Sequence, residues 1–226
     1  MKPQPEVVFL AKEIRTRLNA LASADTASVR AVRREFSRRI AKAAPESVIQ
    51  LALRLFNTGS GSLRWVSYEL VSGHRRAFEQ LTVDDLLKFG KGLDSWSSVD
   101  CFAMILAGPM WAQGKVSDEM VEAWANSRDR WWRRTALVST VALSRGGDVK
   151  DLRKVERICT QLLADRDDMV VKALSWALRE AGKKHPQQVG RFIAKHRDEL
   201  AARVVREVNN KLRTGLKTPR GQAKTA

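Results

Sequence analysis

The run Asp94-Ser95-Trp96-Ser97-Ser98-Val99-Asp100 ends on a carboxylate one helical turn after a tryptophan. Its first residues suit a helix entry, and the i, i+4 spacing puts Trp96 and Asp100 on one face. Ala103 and Ala107 continue that face. Small residues beside an acid and an aromatic leave room for a ligand, where a plain core face would carry Leu or Ile. Further along, Trp176 lies between Lys172 and Arg179. At about 100° per residue these three share one arc, roughly 120° from the arc of Val171, Leu174 and Leu178. A third run, Asp129-Arg130-Trp131-Trp132-Arg133-Arg134, offers Asp129 as an N-cap, and its adjacent Arg133 and Arg134 cannot both face a core. Aromatic faces next to cations are the chemistry of nucleic-acid binding. Plainer roles stand beside these: Asp100 in a salt bridge to an arginine of the next helix pair, and Trp176 stacked on a neighbouring arginine.

Charge points the same way. The 226 residues hold 41 Lys and Arg against 25 Asp and Glu, a formal net charge of +16, with seven tryptophans and one tyrosine. Such a balance selects a polyanionic partner. Basic clusters recur at Arg30, Arg33, Arg34, Arg38 and Arg39, at His74-Arg75-Arg76, and at Arg203 and Arg206, which reads as a positive track rather than one patch. Cys101 and Cys159 are too far apart for a CxxC pattern, and His74, His185 and His196 show no metal-ligand spacing. Reduced thiols and no metal or other cofactor are expected. The N-terminus lacks a basic region followed by an apolar run and a cleavage site, and no apolar segment approaches a membrane span, so a cytoplasmic protein is expected.

The elements that must position these residues are helices. Periodicity is helical nearly throughout and predicts helices over 6–22, 26–44, 46–57, 62–77, 82–90, 97–108, 117–127, 129–145, 149–164, 167–183, 186–195 and 197–213. Pro45 suits a helix start, Gly59-Ser60-Gly61-Ser62 a loop, and Gly146-Gly147-Asp148 a stop followed by a cap. Taken in pairs, the second members begin near 62, 97, 129, 167 and 197, a spacing typical of short helical repeats. Such pairs bury a face only by stacking on the next pair. The expected fold is therefore all-α, a helical-repeat solenoid over residues 1–213, curved around a concave basic groove lined by the second helices. A basic, frayed tail is expected over 214–226.

On three segments taken in order, the chain resembles the AlkD-type DNA alkylation repair proteins, bacterial alkylpurine DNA glycosylases built from HEAT-like repeats. The segments are Asp94 through Asp100, Trp131-Trp132-Arg133-Arg134, and Lys172-Ala173-Leu174-Ser175-Trp176-Ala177-Leu178-Arg179-Glu180. The similarity runs from about Arg33 to Leu212. It implies that Asp100 is the catalytic aspartate, that Trp96 and Trp176 wall the substrate cleft, and that Arg134 contacts DNA. Arg133, Lys172 and Arg179 join the DNA-binding set by adjacency. The stretch Ala27-Ser28-Val29-Arg30 offers no aromatic where the family carries one.

The resemblance further implies a monomer acting on double-stranded DNA that contains 7-methylguanine or 3-methyladenine, associated with the nucleoid when bound. A cationic purine leaves as a neutral base and needs no strong general acid. The sugar left behind is oxocarbenium-like, and a fixed carboxylate stabilises that charge and can orient the attacking water. Two rivals use other features of the same chain. A non-catalytic protein that binds damaged or branched DNA needs only the basic track, and a protein-binding scaffold needs only the repeats.

Overall fold

The computed structural model describes residues 5–59, 61–146 and 148–219. Ser60, Gly147 and the end of the expected tail, Arg220–Ala226, lie outside the described residues, as do the first four. The fold is all-α and built from stacked helices, with no β-strand among the described residues. No helix among them is long and apolar enough to cross a membrane. The chain divides into two compact units, one up to Gly92 and one from Leu93 onward.

The first unit holds α1 (Pro5–Asn19), α2 (Thr26–Arg39), α3 (Pro45–Asn57), α4 (Gly61–Gly73), α5 (Arg75–Gln80) and α6 (Val83–Phe89). Asp25 caps α2 by accepting from the Ser28 N–H, and Pro45 occupies the first turn of α3, where its missing N–H costs nothing. The strongly apolar α3 buries Val48, Leu51, Ala52, Leu55 and Phe56 and packs on α1, α4, α5 and α6. Phe56, Tyr68 and Phe89 meet with ring centroids 5.7–6.0 Å apart, and the Tyr68 hydroxyl donates to the Phe89 carbonyl at 3.1 Å. The expected helix over 62–77 is two helices, because His74 leaves helical geometry and its Nδ1 caps the Ala77 N–H.

The second unit holds α7 (Trp96–Phe102), a π-helical segment (Ala103–Ala107), α8 (Gly108–Ala112), α9 (Asp118–Ala125), α10 (Arg130–Gly146), α11 (Val149–Gln161), α12 (Asp168–Ala181), α13 (Pro186–Lys195) and α14 (Ala202–Thr214). One row runs α7 with α8, then α10, α12 and α14, each packed on the next. These helices start at 96, 130, 168 and 202, close to the spacing read from the sequence. In the other row α9 packs on α11, and α13 lies against α12 and α14. Asp129 accepts from the Trp131 N–H at 2.9 Å, and Asp148 and Asp167 cap α11 and α12 in the same way. The last helix begins at Ala202 rather than 197. It ends on Gly215, whose φ of 73° closes the helix in the left-handed conformation that glycine adopts without strain.

Candidate active site

Asp100 is placed by a well-made helix start. Ser95 caps α7 by accepting from the Ser98 N–H, and the Ser98 hydroxyl in turn accepts from the Ser95 N–H. This reciprocal pair fixes the first turn, on which Trp96 stands 58% exposed. One turn on, both Asp100 carboxylate oxygens accept from Arg134 of α10: Nε donates to Oδ1 and Nη2 to Oδ2, each at 2.9 Å. The third nitrogen of Arg134, Nη1, donates to the Met169 carbonyl in the first turn of α12. The Arg134 side chain is 7% exposed and Asp100 20%. Burial pushes the Asp100 carboxyl above its usual range, and the hydrogen bonds and charge of Arg134 act against that rise without cancelling it. The structure thus realises the ion pair with an arginine of the next helix pair. Arg134 faces inward, with all three of its nitrogens engaged by the protein.

Ala103 and Ala107 do not open a space beside Asp100 as the spacing suggests. Both are fully buried, because the helix continues as a π segment in which the Gly108 N–H reaches back to the Ala103 carbonyl. Pro109 has no N–H to continue the α pattern, which accounts for the widened turn. A Cβ on Gly108 would come within 2.8 Å of the Ser139 carbonyl oxygen and 2.9 Å of the Ala142 Cβ. The small residues of this stretch therefore let α10 approach closely, and α10 is the helix that carries Arg134.

On α12 the expected division holds: Val170, Val171, Ala173, Leu174, Ser175, Ala177, Leu178 and Ala181 are buried. The remaining positions, Asp168, Met169, Lys172, Trp176, Arg179 and Glu180, fall within an arc of roughly 120°. Lys172 on that arc is exposed and pairs with Asp168 at 2.6 Å. Asp168 is held below its usual range by Lys172 first and by Arg203 of α14 as well. Trp176 is half-buried. The Arg179 Nε donates to the Ser175 hydroxyl at 3.2 Å, and that hydroxyl donates to Oε2 of the buried Glu207 at 2.6 Å. Burial lowers the Arg179 guanidinium pKa, while Glu207 and Glu180 hold it up. Arg133 stands apart from both groups. It pairs with Asp165 at 2.7 Å and donates to the Ser127 and Arg128 carbonyls, bracing the turn before α10.

Three participants escaped the sequence reading. The Met169 carbonyl left no signal, since backbone acceptors carry no side-chain signature. Ser175 and Glu207 stand 32 positions apart on successive helices of one row, a spacing close to that of Asp100 and Arg134, and this could have marked them as a pair. Lys217, beyond α14, reaches Glu207 at 3.3 Å, so the start of the expected tail folds back on the helix before it.

Residues 20–212 match the family described as DNA alkylation repair enzyme. Among solved structures, a predicted DNA alkylation repair enzyme from Enterococcus faecalis is similar over 93% of this chain and 96% of its own, with 15% identity and a TM-score of 0.67. That identity is low enough for the likeness to speak of the fold alone. No curated protein sequence matches. The family match spans most of the chain, including Asp100, Arg134 and the whole of α12, and the chain accordingly belongs to the DNA alkylation repair enzyme family.

Proposed function

We propose that this chain is a DNA glycosylase that hydrolyses the N-glycosidic bond of cationic alkylated purines, 7-methylguanine and 3-methyladenine, in duplex DNA. One observation carries the reading beyond family membership: Asp100 is a carboxylate locked in orientation by two hydrogen bonds yet still 20% exposed, one turn from an exposed tryptophan. An ionised carboxylate has about four lone-pair directions, and Arg134 occupies two of them. The remaining two can face a sugar carbon or a water.

The C1′–N9 bond breaks with its electron pair passing to the base, which leaves neutral. Positive charge then develops on the sugar, where a rigid anion stabilises it without reorganising. Water adds to C1′, and its proton passes to Asp100 or to solvent. Trp96, and Trp176 on the exposed arc of α12, offer π faces that attract a cationic nucleotide by about 0.5 to 2 kcal/mol each. Lys172 and Arg179 supply phosphate contacts on the same arc. Arg134 then acts through Asp100, not on a phosphate, and Arg133 acts through the turn before α10.

A second reading is favoured by the same pair. With both Asp100 oxygens held by Arg134, the site is also compatible with a DNA-binding protein of the repair family that performs no chemistry. Base release from methylated duplex separates the two. The wild type should release both free bases and leave abasic sites, while Asp100→Asn should release little and still bind duplex. A folded wild type that binds methylated duplex and releases no base would overturn the glycosylase reading.

A further inference from the structure

In the first unit, one carboxylate organises two arginines and a tryptophan. Glu69 of α4, with a side chain 13% exposed, accepts at Oε1 from the Trp65 indole N–H at 3.1 Å and from Nε and Nη2 of Arg30 at 3.2 Å each. Its Oε2 accepts from the Arg33 Nε at 2.8 Å. The Arg30 guanidinium carbon stands 5.1 Å from the centre of the Trp65 ring, so that side chain is held both on its edge and on its face. Arg30 remains 47% exposed and Arg33 23%. Among the described residues, Nη1 of Arg30 and both terminal nitrogens of Arg33 have no partner. Two cations against one anion leave the cluster at +1. Both arginines lie on α2, a helix with five arginines and a single acid.

We infer that Arg30 and Arg33 form a binding site for backbone phosphates of duplex DNA in the first unit, preorganised by Glu69 and Trp65. The inference rests on the reading that this chain acts on duplex DNA, and it assigns to the first unit a share in holding that DNA. A guanidinium with one edge fixed and the other unengaged loses little freedom on meeting a phosphate, and it presents donors in a planar fork that matches phosphate oxygens. A solvated surface cluster needs no largely enclosed acid to align it. Here the acid lowers the net charge of the surface while fixing its geometry, so preorganisation and bare charge make opposite predictions for its removal.

The experiment measures binding of the full chain to undamaged duplex by fluorescence anisotropy across a salt series, with base release left aside. Binding by the wild type tests the DNA reading on its own, and the variants test the cluster. Between 50 and 200 mM salt, Arg30→Ala/Arg33→Ala should lose about twelvefold less affinity than the wild type does, the difference expected for two phosphate contacts. Arg157→Ala removes a charge that α11 pairs with Asp118 and Glu122, and it should leave the salt dependence unchanged. Glu69→Gln removes a negative charge, which raises the net charge by one, yet should bind several-fold more weakly, because Arg30 and Arg33 lose their alignment. Equal or tighter binding by Glu69→Gln overturns the inference, as does a double variant with the salt dependence of the wild type.

Discussion

Replacing Asp100 by Asn should destabilise the protein far more than a surface substitution would. The change leaves the guanidinium of Arg134, 7% exposed, with a neutral amide in place of its anionic partner, and the amide NH₂ confronts donors with a donor. Removing one partner of a buried ion pair costs about 3–5 kcal/mol. The 20% exposure of Asp100 places this case near the lower end, about 3 kcal/mol. Arg134→Met should cost less, about 2 kcal/mol, since the stranded carboxylate can take up water or a proton. The double variant Asp100→Asn/Arg134→Met removes both charges and should cost only about 2 kcal/mol, which leaves a coupling of about 3 kcal/mol. Urea unfolding followed by tryptophan fluorescence measures all three. At about 2–4 °C per kcal/mol, the Asp100→Asn melting temperature should fall by about 6–12 °C. Additive single effects, each under about 1 kcal/mol, would mean that water screens the pair as it screens a surface bridge, and would refute the burial argument.

Arg134→Met should leave the salt dependence of duplex binding unchanged, because its guanidinium is spent on Asp100 and the Met169 carbonyl; a flatter slope would place it on a phosphate. Base release should fall on the acid side at a higher pH than an ordinary aspartate would impose, since burial raises the Asp100 pKa and the reaction needs the anion. By the same shift the native state holds that proton more tightly than the unfolded chain does, so the contribution of Asp100 to stability declines as pH rises from the ordinary carboxylate range to its raised value. The protonated acid still turns an oxygen to each Arg134 donor, which the amide of Asp100→Asn cannot, so the loss in that variant comes from the misplaced donor and not from neutralisation alone. A pH–rate profile with no acid limb above the usual aspartate range would contradict both statements. Gly108→Ala should lower stability by about 1–3 kcal/mol and slow base release, because its Cβ would press within 2.9 Å of the Ala142 Cβ on α10; thermal melts and turnover check it together. Trp96→Ala, at a position 58% exposed, should change stability by under about 1 kcal/mol while slowing excision more than it weakens binding to undamaged duplex, and equal losses on damaged and undamaged DNA would remove it from the lesion contact.

Periodicity carried the helices because burial enforces it: seven of the eight buried positions of α12 are apolar, and only Ser175, which pairs with Glu207, departs from residue type. Caps were equally legible at Asp129 and Pro45, where one side chain or one missing N–H decides the first turn. The π segment was not, since Ala103-Met104-Ile105-Leu106-Ala107 reads as an ordinary apolar helix and the widened turn follows from Pro109 and the close packing at Gly108. That tertiary contact reversed the meaning of Ala103 and Ala107, from space for a ligand to space for a helix. At the site, the sequence offered Asp100 an unnamed arginine of the next helix pair, while the resemblance sent Arg134 to DNA; the structure turns Arg134 inward onto Asp100. Orientation depends on what the third nitrogen finds, and the Met169 carbonyl that it finds is invisible to side-chain patterns.

The pairing of Asp100 with Arg134 and a catalytic role for Asp100 are complementary demands on one carboxylate. An anion stabilises a developing cation most strongly where water is excluded. Exclusion of water also favours the protonated acid, which stabilises nothing, and in this site burial is the larger influence on Asp100. A guanidinium bound along one edge opposes protonation and fixes the carboxylate plane, while the other lone pairs stay directed outward. The same guanidinium weakens the field of the anion, a loss that the proposed glycosylase reading tolerates, because a cationic alkylpurine would bring its own positive charge and need orientation more than strength. Arg134 is in turn held by α12, through the Met169 carbonyl two turns before Trp176. A shift of α12 that moves Trp176 therefore also moves the group that orients the carboxylate, so α12 couples Trp176 to the orientation of Asp100 although Asp100 and Trp96 themselves stand on α7.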